Sequence, residues 1–352
     1  MKANFLLASA ALLLLGACSG SSTSPGATGA KSEFPNEPAL TTDQATLDNN
    51  LHCTDFTHPD KPPVLLVHGT FTSGQEQYEW NYIPLLAAKG FDVCAVTYPD
   101  RGLGDQQISA EYVVNALRRM YAKTGRKVAM IGHSQGASMP RWALMWWPSA
   151  RNAVQDFVLE AGPNHGTTQV SSLAGLVPAN LPVGLVPEAF YQFEPDSNFT
   201  KAVNAGGETP GDIDYTTLYG AYDELVQPVT PVPTAALDWQ QNNPHVSNIL
   251  LQDVCPGYVV DHVTIGTTDA LAFALALDAI SNPGPANVAR AGGAAKLCNN
   301  LLPLLPQENV GDYTVTGLVQ SLEAENASAI PNLHLAAAEP PLMSYATAAA
   351  AQ

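Results

Sequence analysis

Lys127 to Ile131 is a compact apolar run, Gly132-His133-Ser134-Gln135-Gly136 follows it directly, and Met139 to Trp147 has the composition of a helix. A strand, a glycine-flanked serine and a helix in that order leave the chain few options. The glycines let the backbone turn sharply, so Ser134 is presented in a strained conformation at the strand end. Because a helix starts at once, its free N–H groups face any negative charge forming at the serine oxygen. Without the flanking strand and helix the same letters would read as a Gly-rich turn.

The rest of the chain repeats this alternation. Pro63 to Val67 reads as a buried parallel strand running into His68-Gly69, and Phe91 to Val96 as a second strand closed by Tyr98-Pro99. Ile108, Tyr112, Val113, Ala116, Leu117 and Met120 recur at helical spacing, and Thr124-Gly125 stops that helix. Asp156 to Ala161 and Tyr215 to Tyr219 are two further short strands. Such a pattern predicts one α/β domain over 43–352, a mostly parallel sheet with helices on both faces. Within it, 170–210 is apolar but interrupted by Pro178, Pro182, Pro187 and Pro195, and reads as an inserted pocket wall or lid. The segment 300–352 is Ala-rich with weak helical signal.

A serine hydroxyl is a poor nucleophile until a base takes its proton and an acid orients that base. The strand–serine–helix motif expects the order serine, acid, histidine. His262, after the strand-like Gly257-Tyr258-Val259-Val260 run, is the best-placed base. His165 comes too early, His245 sits among Asn and Pro, and His334 lies in the tail. For the acid, Asp223 in Tyr222-Asp223-Glu224-Leu225-Val226-Gln227-Pro228 is preferred over Asp212, Asp214, Asp253 and Asp261. Glu224 is the nearest competitor and is read as fixing the loop. Thr70, after His68-Gly69, and the Gln135 backbone N–H are the expected oxyanion donors. No motif calls for a metal or an organic cofactor.

The chain of 352 residues is 46% hydrophobic and 13% charged, with a formal net charge of −17. Such an acidic balance argues against nucleic acid and leaves neutral substrates open. Lys2, the apolar stretch Phe5 to Leu15 and Leu15-Gly16-Ala17-Cys18 resemble a bacterial lipoprotein signal. On that reading 1–17 is removed, Cys18 is lipidated, and 18–42 is a flexible Ser/Gly/Thr tether holding the domain to the cell envelope. Cys53, Cys94, Cys255 and Cys298 remain, an even number in an exported protein, which reads as two disulfides with three pairings open.

From about Phe34 to Ala346 the sequence resembles the Candida antarctica lipase B family. Val67-His68-Gly69-Thr70 with Thr72-Ser73-Gly74 is similar to that family's oxyanion loop, and Trp80-Asn81-Tyr82-Ile83-Pro84-Leu85 to the helix after it. Asp223-Glu224-Leu225-Val226-Gln227-Pro228 is nearly its acid-loop signature, and Asp261-His262 matches the segment carrying its histidine. Glu339 to Ala346 echoes its C-terminal segment. The resemblance implies an α/β-hydrolase fold and a triad of Ser134, Asp223 and His262. It also implies oxyanion donors at Thr70 and Gln135, and disulfides Cys53–Cys94 and Cys255–Cys298. The implied activity is carboxylic-ester hydrolysis, on fatty-acyl esters; a monomer is expected. An acyltransferase, a polyester depolymerase or an amidase would use the same residues, and a non-catalytic binding protein would keep only the scaffold. This chain departs from the family prototype in having Gly-His-Ser-Gln-Gly for Thr-Trp-Ser-Gln-Gly, in lacking a third disulfide, and in the sequence of Val170 to Gly207.

Overall fold

The computed structural model describes residues 34–174, 184–299, 301, 304 and 334–350. The predicted signal, Cys18 and the tether as far as residue 33 lie outside the described residues, as do 175–183 of the insertion and most of 300–333. The chain divides into Met1–Pro35 and Asn36–Gln352, and the elements below belong to the latter.

The strands are β1 (Leu51–Cys53), β2 (Val64–Val67), β3 (Val93–Val96), β4 (Val128–His133), β5 (Val154–Glu160), β6 (Val186–Pro187), β7 (Asp214–Tyr219), β8 (Val246–Leu250) and β9 (Leu335–Ala336). Seven of them form one sheet in the order β1-β3-β2-β4-β5-β7-β8, while β6 and β9 pair separately. Only β1 runs antiparallel to its neighbour in that sheet. Strands β2 and β3 are apolar throughout, and β4 as far as Gly132, because each face has its own core. Leu65, Val67, Met130, Phe157 and Leu159 point to one side, with Val113, Leu117, Trp142 and Trp147 from the helices there. Val64, Leu66, Ile131 and Val158 alternate to the other, against Leu271, Leu275 and Ala279. The helix Gln106–Thr124 begins at Asp105, whose side chain accepts the Gln107 N–H, and stops at Gly125 in the left-handed conformation (φ 66°).

The described helices of the insertion are Val170–Ala174, Glu188–Gln192 and Asn198–Ala205; Pro187 caps the start of the second, and Pro195 lies between the second and the third. Phe71, Leu103, Phe190 and Phe193 form a separate apolar cluster with Val170, Val186 and Leu225. Both bridges close locally. Cys53–Cys94 fastens edge strand β1 to β3, and Cys255–Cys298 fastens the segment leading to His262.

The structure corrects two expectations, the extent of the tether and the strand before His262. Residues 37–42 are docked rather than part of a tether: Glu37 accepts from Ser149 N and Arg118, Pro38 O accepts from Trp147, and Thr41 N donates to Glu111. The described end of the C-terminal segment is docked too. There Glu339 caps Asn198–Ala205 by accepting its first two N–H groups, and Tyr345 OH accepts from Trp142 Nε1. Finally, Gly257 to Val260 is not a strand. The strand there is β8, and His262 opens a short helix, His262–Ile265, capped by Asp261.

Candidate active site

The elbow is built by close approach. Ser134 sits at φ 56°, ψ −123°, the first residue past β4, and its N–H donates to Glu160 O at 2.8 Å. A β-carbon on Gly132 would lie 1.8 Å from Gly136 O, and one on Gly136 would lie 2.1 Å from Val67 O. Neither contact is tolerable, so both glycines are required by packing. A non-glycine residue at positive φ costs on the order of 1–3 kcal/mol, which the surrounding sheet must impose.

Ser134, His262 and Asp223 meet in a line although each comes from a different loop. The Ser134 hydroxyl lies 2.8 Å from His262 Nε2, and His262 Nδ1 lies 2.9 Å from Asp223 Oδ2. His262 and Asp223 are 4% and 3% exposed, so water scarcely competes for either. Asp223 Oδ1 also accepts the N–H groups of Leu225 (2.9 Å) and Val226 (2.8 Å), which fixes the carboxylate plane. Burial pushes the Asp223 carboxyl up, but the His262 charge and these donors outweigh it and hold it below the ordinary carboxylate value. Burial likewise disfavours the His262 imidazolium, yet Asp223, Glu224 and Asp261 together hold it above the usual histidine value. Glu224 does this from the backbone side, its Oε2 accepting the His262 N–H at 3.1 Å.

Thr70 and Gln135, the residue after Ser134, are joined to each other. Thr70 Oγ1 donates to Gln135 Oε1 (3.3 Å), and Gln135 Nε2 donates to Gly102 O (2.9 Å), so one side chain ties two loops together. Gly102 is left-handed, and a β-carbon there would fall 2.1 Å from Gln135 Oε1. Phe71 N donates to Arg101 O, and Arg101 pairs with Glu76 at 2.7 Å, which completes the support of the loop. Neither the Thr70 N–H nor the Gln135 N–H has a hydrogen-bond partner among the described residues. Both donors are therefore free for an incoming oxygen.

The other candidate histidines are engaged elsewhere. His165 pairs with Glu208, His245 with Asp214 and His334 with Asp100. His68 stacks on Tyr98 with ring centroids 3.8 Å apart, and burial drives its value down to about 3, so it is a neutral support. Among the described residues no group of three or more His, Cys, Asp or Glu is arranged to hold a metal ion. Sequence reasoning missed two neighbours of the site, Gln77 and the side chain of His133. Gln77 donates to His133 Nδ1 at 3.0 Å across a separation of 56 residues, a contact no local pattern announces.

With this geometry in hand, comparisons with known proteins place the chain. The sequence profile of the alpha/beta hydrolase family matches residues 64–297. Lipase B of Pseudozyma antarctica is 32% identical over 229 residues, which span 64% of this chain and 64% of that protein. The crystal structure of Aspergillus fumigatus lipase B superposes with a TM-score of 0.75 at 30% identity, covering 89% of this chain and 73% of that one. The chain belongs to the alpha/beta hydrolase family and is a homologue of lipase B.

Proposed function

We propose that the protein hydrolyses carboxylic esters through an acyl-enzyme on Ser134. The observation that carries this reading is the continuous Asp223–His262–Ser134 hydrogen-bond line beside two unpartnered N–H donors. Asp223 is ionised at neutral pH and keeps the imidazole proton on Nδ1, so the Nε2 lone pair faces the serine hydroxyl. Ser134 Oγ attacks the ester carbonyl carbon as Nε2 takes its proton, and the carbonyl oxygen becomes an oxyanion. The Thr70 and Gln135 N–H groups hold that oxyanion; one such donor is worth about 3–4 kcal/mol in the transition state. The C–O bond to the alcohol then breaks, and imidazolium Nε2–H protonates the departing alkoxide. Water, deprotonated by the same Nε2, attacks the acyl carbon; the bond to Ser134 Oγ then breaks, Nε2–H returns its proton to Oγ, and the carboxylic acid leaves.

Fatty-acyl esters are the favoured substrate class; the likeness to lipase B supports this, and an apolar cluster of Phe71, Leu103, Phe190, Phe193 and Leu225 begins one residue after Thr70 and includes a residue two after Asp223. Replacing Ser134 with alanine should abolish turnover of p-nitrophenyl esters and leave the fold intact; retained turnover would refute the assignment. A series of acyl lengths from two to sixteen carbons, with emulsified triglyceride, separates esterase from lipase. Two disulfides fit an oxidising compartment. We further propose export and envelope anchoring through a lipid on Cys18. The Cys18→Ser protein should then leave the membrane fraction, and unchanged membrane association would refute the anchor.

A further inference from the structure

The residue before the nucleophile lies off the proton path yet touches both sides of it. His133 is buried, and its Nδ1 accepts from Gln77 Nε2 at 3.0 Å. That contact fixes the ring proton on Nε2, which donates to the backbone carbonyl of His262 at 2.7 Å. Gln77 in turn accepts the Gly69 N–H on Oε1 at 2.8 Å, one residue before Thr70, and reaches Gly266 O at 3.3 Å. Space for the ring is reserved by two residues without side chains. A β-carbon on Gly266 would lie 2.1 Å from His133 Cδ2, and one on Gly69 would lie 3.1 Å from Nδ1. The His133 and His262 rings are 5.0 Å apart, and burial, with the neighbouring His262 charge, drives His133 down to about 3. It therefore stays neutral and keeps one tautomer over the working pH range.

We propose that His133 and Gln77 are positioning residues that fasten the peptide of the base His262 to the loop carrying the oxyanion donor Thr70. His262 is then held at three points: Asp223 on its ring, Glu224 on its backbone N–H and His133 on its backbone carbonyl. Through Gln77 the third point also sets the distance from base to oxyanion loop. Such a clasp acts on geometry in the transition state rather than on substrate affinity, and small misplacements of reacting groups are expensive in rate.

The inference rests on the proposed roles of Ser134, His262 and Thr70, and the experiment separates the two. His133→Phe keeps a flat ring and removes both hydrogen bonds; kcat for p-nitrophenyl butyrate should fall about 10- to 100-fold while KM stays within about twofold. His133→Gln carries an amide N–H to the place of Nε2 and should recover most of that loss. Gln77→Glu, isosteric and still accepting from Gly69, loses its donor to Nδ1 and should show a similar kcat defect. Combining His133→Phe with Gln77→Glu should cost little more than either alone, as expected for partners in one contact. Full kcat in His133→Phe, no recovery in His133→Gln, or additive losses would overturn the proposal. Ser134→Ala is run alongside. If it is inactive while His133→Phe is fully active, only the clasp fails; if it stays active, the catalytic reading itself fails.

Discussion

Asp223→Asn is the substitution whose outcome the geometry fixes most tightly. Asp223 Oδ1 accepts two backbone N–H groups, from Leu225 at 2.9 Å and Val226 at 2.8 Å. His262 Nδ1 lies 2.9 Å from Oδ2 and 3.0 Å from Oδ1; in the Asn variant the amide oxygen must take the Oδ1 place, which puts the NH2 where Oδ2 now faces that nitrogen. Two donors then oppose each other unless the imidazole proton moves to Nε2, and an Nε2–H has no lone pair to take the Ser134 proton. The opposite amide rotamer restores the working tautomer but turns NH2 toward Leu225 N and Val226 N. Each buried donor left without an acceptor costs about 1–3 kcal/mol, so the pair costs about 2–6 kcal/mol. At about 1.4 kcal/mol per decade, kcat should fall between about 30-fold and about 10⁴-fold. Loss of the carboxylate charge opposite the transient imidazolium pushes toward the larger figure. The assay is kcat for p-nitrophenyl butyrate at pH 8, beside a thermal melt to show that the loop has held. A kcat within threefold of the native protein, with an unchanged melt, would refute the tautomer argument.

Two further perturbations read the electrostatics. The acid limb of kcat/KM should have its midpoint above the ordinary histidine value, since His262 must lose its proton to work and its neighbours hold that proton on. Glu224→Gln keeps an acceptor for the His262 N–H but removes a negative charge, so the limb should move to lower pH; an unmoved limb would contradict the role given to Glu224. Glu160 is fully buried, with Oε1 accepting from Tyr82 at 2.7 Å, and burial raises its carboxyl to about 8. A folded value above the unfolded one means that stability falls as pH rises from about 4.5 to about 8 and is flat beyond. Glu160→Gln escapes this loss, so its melting advantage should be larger at pH 9 than at pH 5; an equal advantage at both would refute the assignment.

Much of the framework was legible because burial on both faces leaves a plain mark. Strands β2, β3 and β4 are short apolar runs, and the helix Gln106–Thr124 carries a cap at Asp105 and a glycine stop. The Ser134 elbow announces itself through glycines whose absent side chains the packing demands. What could not be read were elements held by polar or distant contacts. Edge strand β1 is only three residues, and β8 carries Ser247 and Asn248 in its centre, so neither shows a clean period. Gly257 to Val260 looks like a strand by composition, yet Val259 is 69% exposed and Gly257 is left-handed. Glu37 and Thr41 dock through hydrogen bonds to residues about 70 to 110 positions away, which no apolar pattern signals. For the same reason the letters of the elbow pointed to Ser134 as the candidate nucleophile but gave no hint that His133 reaches the His262 carbonyl.

The direct test of Ser134 as the nucleophile is covalent capture. The protein is treated with a p-nitrophenyl alkylphosphonate, whose phosphorus is attacked as an ester carbonyl would be, and then digested for peptide mass analysis. One equivalent of p-nitrophenol should be released per chain, activity should vanish in step, and the phosphonyl group should sit on Ser134 alone. Inactivation with the label on another residue, or full labelling of the Ser134→Ala protein, would contradict the mechanism.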